Sequence, residues 1–337
     1  MISDILLPTD PSLFYSRGQK DDPKLGEFVL PYPEVDIEWD KNRVVIIGFP
    51  EERGVERNKG IIGTSKAPDI IRKHLYRLNA NDARQRLGIK KGSLIDAGNV
   101  KLGSTLEESQ HNLGKAVAHF LLEDYFVLVL GGGHETAFGH FLGHQQVQKP
   151  ISVVNIDAHS DVRPLINGNL GHSGSPFRQM LEYPNSILKG QNLVEFGLQG
   201  HCNSVYAIEY LYEQGVNIVW YEDIANQDLS VSFFNALRQL DDKQNLYVSI
   251  DTDCITGVDF PATSASPAQG FSVQQFYQCC TLLAHLHQLK SMDIVEYNPN
   301  KDVNEQSAKV IALGIWKFLI QKIGINIAHF LPKGQNF

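Results

Sequence analysis

The sequence predicts an α/β fold in which a mostly parallel sheet lies between layers of helices. Short apolar runs rich in Val, Ile, Leu and Phe recur along the chain, and segments with a helical pattern stand between them. Several of the runs are apolar at consecutive positions, which is typical of strands that helices cover on both faces. Alternation of strands with helices favours the same architecture.

Seven strands and four helices are predicted in chain order. The strands are predicted at 43–49, 125–133, 151–159, 193–200, 216–221, 245–253 and 291–299. The helices are predicted at 68–78, 106–124, 273–289 and 304–323. Because no internal repeat or low-complexity linker divides the chain, we expect residues 41–337 to form a single domain. Residues 1–40, with several prolines and mixed charge, are expected to form an extended arm.

Composition excludes several classes of partner. The 337 residues carry a formal net charge of −8, whereas a nucleic-acid-binding protein usually presents a basic surface. No apolar stretch approaches the ~20 residues that a membrane span requires. Asp4 and Pro8 stand where a signal peptide would have basic and apolar residues. The four cysteines form neither a disulfide framework nor a CxxC pair. We therefore expect a protein of the reducing cytoplasm with neither a nucleic acid nor a membrane as partner.

Residues that can bind a metal follow the ends of three predicted strands. They lie in the segments GGGHE, NIDAHSD and SIDTD. Side chains two positions apart along a strand point to the same face, and ligand sites of parallel sheets lie beyond the carboxyl ends of the strands. Such a concentration of carboxylates would be costly to bury without a cation. The candidate ligands are His134, Asp157, His159, Asp161, Asp251 and Asp253.

This set of ligands favours Mn²⁺ or a similar divalent ion over a thiolate-bound zinc. Six residues with bridging carboxylates suffice for two metals about 3.5–4 Å apart, an arrangement that activates a bridging water. Each motif alone has a structural alternative, because glycine-rich strand ends are common and aspartates often cap a following turn or helix. Their occurrence at three strand ends favours the metal site.

The three motifs, in this order and followed by VEYNP, resemble those of the arginase family of metal-dependent ureohydrolases. The resemblance extends from about residue 44 to residue 320. Within that family the segments 54–72, 260–270 and 296–309 are most similar to formimidoylglutamases. The resemblance implies a three-layer α/β/α fold with a mostly parallel eight-stranded sheet, two Mn²⁺ ions per chain held by the six candidate ligands, and a symmetric homo-oligomer.

Catalytic roles follow from the same resemblance and from the chemistry of the residues. Glu296 faces the site and would pair with a cationic nitrogen of the substrate. Asp161 or His172 would carry a proton to the leaving amine. In GHSGSPF, residues 171–177, either His172 or Ser173 takes the family's proton-shuttle position.

Substrate-binding residues are predicted next to the metal ligands. Arg163 follows Asp161 by two residues, and its guanidinium can bind both oxygens of a carboxylate. Asn169 and Arg178 are further candidates for this pocket, as are Arg57 and Asn58.

Three functions are compatible with these residues. The first is hydrolysis of a linear amidine C–N bond in N-formimidoyl-L-glutamate, which gives L-glutamate and formamide as in histidine degradation. The second is another amidinohydrolase activity, that of an agmatinase, an arginase or a guanidino-acid hydrolase. The third is a non-catalytic regulatory protein that binds metal on the same fold. Arg163 favours the first hypothesis, because the small-molecule amidine proposed there carries carboxylates that a guanidinium can bind.

Overall fold

A computed structural model describes residues 2–33 and 43–327. In chain order the strands are β1 (Leu6–Leu7), β2 (Leu30–Pro31), β3 (Val44–Phe49), β4 (Asn81–Asp82), β5 (Leu87–Ile89), β6 (Leu94–Val100), β7 (Phe126–Gly131), β8 (Ile151–Ile156), β9 (Leu193–Leu198), β10 (Asn217–Trp220), β11 (Asn245–Asp251), β12 (Leu289–Val295) and β13 (Gly324–Asn326). The helices are α1 (Arg53–Arg57), α2 (Ala67–Leu75), α3 (Leu106–Leu122), α4 (Glu135–Val147), α5 (Pro176–Leu181), α6 (Val205–Gln214), α7 (Tyr221–Ile224), α8 (Leu229–Leu237), α9 (Val273–Ala284) and α10 (Gln306–Ile323).

One large sheet forms the centre of the described chain, with the strand order β1-β6-β3-β7-β12-β11-β8-β9-β10 and with β2 also paired to β6. The eight strands from β6 to β10 in this order are parallel to their neighbours. The sheet has ten strands rather than the expected eight because the N-terminal segment adds two short ones. Strand β1 pairs antiparallel with β6, and β2 pairs parallel with it.

Helices cover both faces of this sheet, which confirms the three-layer α/β/α prediction. Along β3, Val44 and Ile46 pack into the core that contains residues of α2, α8, α9 and α10. Val45 and Ile47 pack into the core on the opposite face, beside α3. The alternation explains the continuously apolar strands, since both faces of each strand are buried. No helix in residues 2–33 and 43–327 is both long enough and apolar enough to span a bilayer.

The seven predicted strands are confirmed as β3 and β7–β12, but β6 was not predicted. Its apolar pattern is interrupted by Asp96 and Asn99, because β6 carries a buried ion pair. Arg72 of α2 and Asp96 are both fully buried, with Nε–Oδ2 and Nη2–Oδ1 distances of 2.9 and 3.0 Å. The Tyr76 hydroxyl also donates to Asp96. These polar contacts fix α2 against β6.

The four predicted helices are confirmed as α2, α3, α9 and α10, whereas α4 was not predicted. Helix α4 is buried on most of its surface, so it lacks an amphipathic pattern. Its glycines allow α3 to approach closely, because a Cβ on Gly143 would lie 2.5 Å from the Cβ of Val117. Its start, directly after β7, brings His134 to the carboxyl edge of the sheet.

Replacement of Asp96 by Asn should destabilise the fold, because it removes the buried carboxylate partner of Arg72 and leaves only the exposed Asp69. We expect the free energy of unfolding to fall by about 3–5 kcal/mol, measured by urea denaturation followed by circular dichroism. The matched control is Asp69→Asn, because Asp69 also pairs with Arg72 at 3.2 Å but is 52% exposed. The control should cost less than about 1 kcal/mol. Equal losses in both variants would contradict the role given to the buried pair.

Candidate metal centre

Four neighbouring strands at the centre of the sheet end beside one another and carry the polar residues that the sequence analysis selected. Strand β7 leads to His134, β12 leads to Glu296, β11 ends at Asp251, and β8 leads to Asp157. The six candidate ligands form two groups, and within each group the potential ligand atoms lie within 4.8 Å of one another. One group is His134, Asp157, Asp161 and Asp251; the other is Asp157, His159 and Asp253. Asp157 belongs to both groups, as a bridging carboxylate would.

The glycine run before His134 is required by close backbone contacts. A Cβ on Gly132 would lie 1.9 Å from the carbonyl oxygen of Glu51. The N–H of Gly133 donates to that same carbonyl at 3.0 Å, and the Gly132 carbonyl accepts from the Glu296 N–H at 2.9 Å. The run thus joins three segments and fixes where His134 begins α4.

Two aspartates use one carboxylate oxygen for the backbone and direct the other toward the cluster. Oδ1 of Asp157 accepts from the His159 N–H, and Oδ1 of Asp251 accepts from the Asp253 N–H, each at 2.7 Å. Their Oδ2 atoms lie 3.4 and 3.1 Å from Nδ1 of His134. Each of these aspartates can therefore cap the backbone with one oxygen and still offer the other oxygen to a metal ion.

The ring of His134 is oriented by a buried hydrogen-bond chain. Ser249 Oγ donates its hydrogen to Asp293 Oδ1 at 2.6 Å, and His134 Nε2 lies 3.0 Å from the same Oγ. Because the serine has only one hydrogen, its oxygen must accept from Nε2–H of His134. In the neutral ring this leaves the lone pair of Nδ1 directed at the carboxylates, which is the tautomer that a metal requires.

Asp293 anchors this chain in the core. It accepts hydrogen bonds from Ser249 and from the Tyr247 hydroxyl, and its Oδ2 lies 2.8 Å from Nδ1 of His140 in α4. All four of these side chains are fully buried. Three elements, β11, β12 and α4, therefore cooperate to hold one imidazole.

The electrostatics of the cluster favour a bound cation. Burial raises the pKa of Asp253 to about 7 and the pKa of Asp251 well above its ordinary value. Burial lowers the pKa of His134, but the carboxylates of Asp157, Asp161 and Asp251 around Nδ1 outweigh it and raise that pKa overall. Nδ1 of His134 and Oδ1 of Asp253 are buried without a hydrogen-bond partner. Carboxylate and imidazole donors of this kind fit divalent ions.

A cleft of about 540 Å³ opens above the cluster. Its buried end, here called the acidic floor, is formed by Asp161, Asp251, Asp253 and Glu296. At its exposed end lie Lys59 and Arg163, here called the cationic rim. Glu296 accepts at Oε1 from the His134 N–H at 2.8 Å. Burial, reinforced by nearby Asp251, raises the pKa of Glu296 to about 8.

Comparison with known proteins agrees with this geometry. The model of the arginase family matches residues 42–320. The chain belongs to the arginase family. A formimidoylglutamase of Citrobacter koseri is 29% identical over 329 residues, covering 96% of this chain and 97% of the relative. One of Salmonella arizonae is 31% identical over 300 residues, covering 87% of each. A crystal structure of Trypanosoma cruzi formiminoglutamase with two Mn²⁺ ions matches with a TM-score of 0.81 and 29% identity, covering 89% of this chain and 98% of that one.

In this arginase-family chain, Ser173 lines the cleft and His172 does not. Nδ1 of His172 accepts from the Gly174 N–H at 3.1 Å, and Nε2 lies 3.2 Å from the carbonyl oxygen of Pro164. Both ring nitrogens thus contact the backbone, and burial lowers the pKa of this imidazole. The His172 nitrogens are therefore occupied by backbone contacts, whereas Ser173 lies on the wall of the cleft.

The predicted substrate-binding residues divide into two sets. Arg163 and Asn58 line the cleft, and Arg163 Nη1 donates to Asn58 Oδ1 at 3.2 Å. Arg57, Asn169 and Arg178 do not line it. Arg57 pairs with Glu107 at 2.6 Å. Arg178 donates to the Val162 carbonyl and pairs with Glu182, each at 2.8 Å, so its charge is already compensated.

Sequence reasoning missed the residues that support the ligands. Ser249 lies two positions before Asp251 and therefore on the same face of β11. Asp293 is an acid inside an otherwise apolar strand, which is a signal of a buried polar partner. Lys59 carried no such signal, because only the folded loop brings it to the cleft.

The purified protein should bind about two divalent ions, and Asp251→Asn or His159→Ala should lose at least one. Metal content after dialysis, measured by plasma mass spectrometry, tests this expectation. Asp228→Asn is a matched control, because Asp228 likewise accepts a backbone N–H at 2.7 Å, from Ser230, but lies outside both groups. Full metal content in both test variants would reject the ligand assignment.

Removal of the Ser249 hydroxyl should weaken metal binding without removing a ligand. Ser249→Ala leaves His134 Nε2 without its acceptor, so we expect the affinity at that site to fall about 10- to 100-fold, measured by chelator competition. Ser291→Ala is the matched control: this buried serine of β12 contacts His144 Nε2 at 2.7 Å, and His144 belongs to neither ligand group. A similar loss in both variants would show that the effect is general destabilisation.

Proposed function

We propose that this arginase-family hydrolase cleaves N-formimidoyl-L-glutamate with water, giving L-glutamate and formamide, and that it uses two Mn²⁺ ions. The observation that carries the proposal is the distribution of charge along the cleft, with an acidic floor at the buried end and Arg163 at the exposed end. The proposed substrate has a cationic amidine at one end and carboxylates at the other. The names of the relatives and the metals in the Trypanosoma cruzi structure support the same assignment.

The six residues of the two ligand groups would hold the ions, with Asp157 shared between them. When bound, the pair of ions supplies a water acidic enough to lose its proton near neutral pH. The pKa values of Asp251 and Asp253, which burial raises, indicate how strongly these carboxylates gain from a cation. A divalent charge would return both to the ionised form.

Glu296 would bind and orient the amidine. Its carboxylate lies in the acidic floor, and the His134 N–H holds one of its oxygens. An amidinium beside it favours the ionised carboxylate and offers it a charge-assisted hydrogen bond. This contact would turn the electrophilic carbon toward the metal ligands.

Asp161 would transfer the proton to the leaving amine. Its side chain is 13% exposed, and it lies both in the ligand cluster and along the wall of the cleft. We favour Asp161 over His172 because the nitrogens of His172 contact the backbone. Protonation of the amine allows the C–N bond to break and releases the amino acid product.

Arg163 would bind a carboxylate of the substrate. Asn58 accepts one hydrogen bond from its guanidinium, and Asn58 in turn donates to Ser173 Oγ at 3.1 Å. Arg163 is exposed and lines the cleft, so its remaining guanidinium donors would be available to a substrate carboxylate, which can accept two of them. The same charge disfavours agmatine, whose distal group is a cation.

An activity screen tests the proposed function directly. The Mn²⁺-loaded protein is given formimidoylglutamate, arginine, agmatine and guanidinobutyrate, and the product is identified as formamide or as urea. We expect the highest kcat/KM with formimidoylglutamate. A higher kcat/KM with any of the three guanidino compounds would reject the proposed substrate.

Arg163→Met should lower kcat/KM with formimidoylglutamate on the order of 10- to 100-fold, since charge-assisted bonds contribute ~1.5–3 kcal/mol. Arg163→Lys should recover part of the loss, because a point charge cannot reproduce the planar fork. The matched control is Arg238→Met, as exposed Arg238 also donates to an asparagine, Asn235, at 3.3 Å. Full activity of Arg163→Met with its metals bound would exclude this carboxylate contact.

A further inference from the structure

We infer that Lys59 is a second carboxylate-binding residue of the cleft and that, together with Arg163, it selects substrates with two carboxylates. This inference rests on the proposed function and specifies it further. Arg163 alone accounts for one carboxylate, whereas formimidoylglutamate carries two. Arg163 would bind the α-carboxylate, and Lys59 would bind the side-chain carboxylate.

The two cations of the rim lie on adjoining parts of the cleft wall. Both line the cleft, and Lys59 directly follows Asn58, whose side chain accepts the hydrogen bond from Arg163. Consecutive Cα atoms are about 3.8 Å apart, so the backbone of Lys59 is held next to the residue that orients Arg163. We therefore expect two carboxylates on one short carbon chain to reach both cations.

Neither cation of the rim has a carboxylate partner within residues 2–33 and 43–327. Arginines nearby do have one: Arg53 pairs with Glu51 and Arg57 pairs with Glu107. Positive charge left uncompensated in a cleft raises the local concentration of anions. A dianionic tail would compensate both charges, whereas a single carboxylate would leave one of them unpaired.

The backbone at Lys59 adds an independent observation. Its φ is +62°, a left-handed conformation that glycine adopts without steric cost and that lysine disfavours. It follows the end of α1 at Arg57, where glycine commonly ends a helix. A long cationic side chain held in this conformation, at the mouth of a cleft, is a strained position of the kind found at ligand-binding sites.

The test measures preference for the second carboxylate rather than activity alone. The substrates are formimidoylglutamate and formimidoylglutamine, in which the side-chain carboxylate is an amide. We expect Lys59→Met to reduce the wild-type ratio of the two kcat/KM values by about fivefold or more, mainly through KM. Lys59→Arg should keep most of the ratio. Lys115→Met, which removes an exposed lysine of α3 outside the cleft, should leave it unchanged.

A second variant distinguishes the loss of the lysine charge from a loss of fold stability. Lys59→Gly relieves the left-handed backbone, so it should melt no lower than the wild type and yet lose the preference for the dicarboxylate. Calorimetry provides a binding measurement: the wild type should bind L-glutamate more tightly than L-glutamine, and both Lys59→Met and Lys59→Gly should lose that difference. An unchanged ratio and an unchanged binding difference in both variants would overturn the inference.

The experiment also distinguishes failure of this inference from failure of the proposed function. If the wild type hydrolyses formimidoylglutamate and Lys59→Met and Lys59→Gly keep the dicarboxylate preference, only the role of Lys59 is wrong. If the wild type prefers a guanidino compound, the proposed function is wrong. In that case the comparison of glutamate with glutamine binding still decides whether Lys59 recognises a second carboxylate.

Discussion

Acidic charge buried at the carboxyl edge of the sheet is the constraint on which the rest of the structure depends. Removing a carboxylate from water costs several kcal/mol, and four of them meet between β7, β12, β11 and β8. The two imidazoles offset only part of this cost, since the pKa values of Asp251 and Asp253 still rise. Parallel strands that are distant in sequence but adjacent in space bring these carboxylates together, and bound cations would balance them.

The candidate ligands at this edge are held in position by buried residues that contact them from the core. Ser249 and Asp293 set the tautomer and direction of His134. The backbone N–H of His134 also holds Glu296, which we assign to the substrate. One turn, made possible by Gly132 and Gly133, therefore positions both a candidate metal ligand and the carboxylate that we propose binds the substrate. Displacing this turn would disturb both functions together.

Much of the fold, and the clustering of the six candidate ligands, could be predicted because they depend on local periodicity. Apolar runs locate seven of the eight long parallel strands, and spacing by two locates the aspartates at their ends. Strand β6 was not predicted because Asp96 interrupts its apolar pattern, and the partner that explains this aspartate, Arg72, lies 24 residues earlier in the chain. The choice between His172 and Ser173 could not be made from sequence, since a one-residue difference in a loop depends on tertiary hydrogen bonds. Lys59 was not predicted as a cleft residue either, because only the folded loop brings it there.

Charge along the cleft also resolves an apparent conflict between the protein and its proposed substrate. The chain has a net charge of −8, and formimidoylglutamate is itself an anion at neutral pH. Screening confines interactions between exposed charges to about 8 Å at physiological ionic strength, so the local charges decide what enters. At the mouth these are Lys59 and Arg163, which on our proposal would attract the carboxylates. The acidic floor would then attract the amidine, so that the proposed substrate would enter in the orientation that brings its reacting carbon to the ligand cluster.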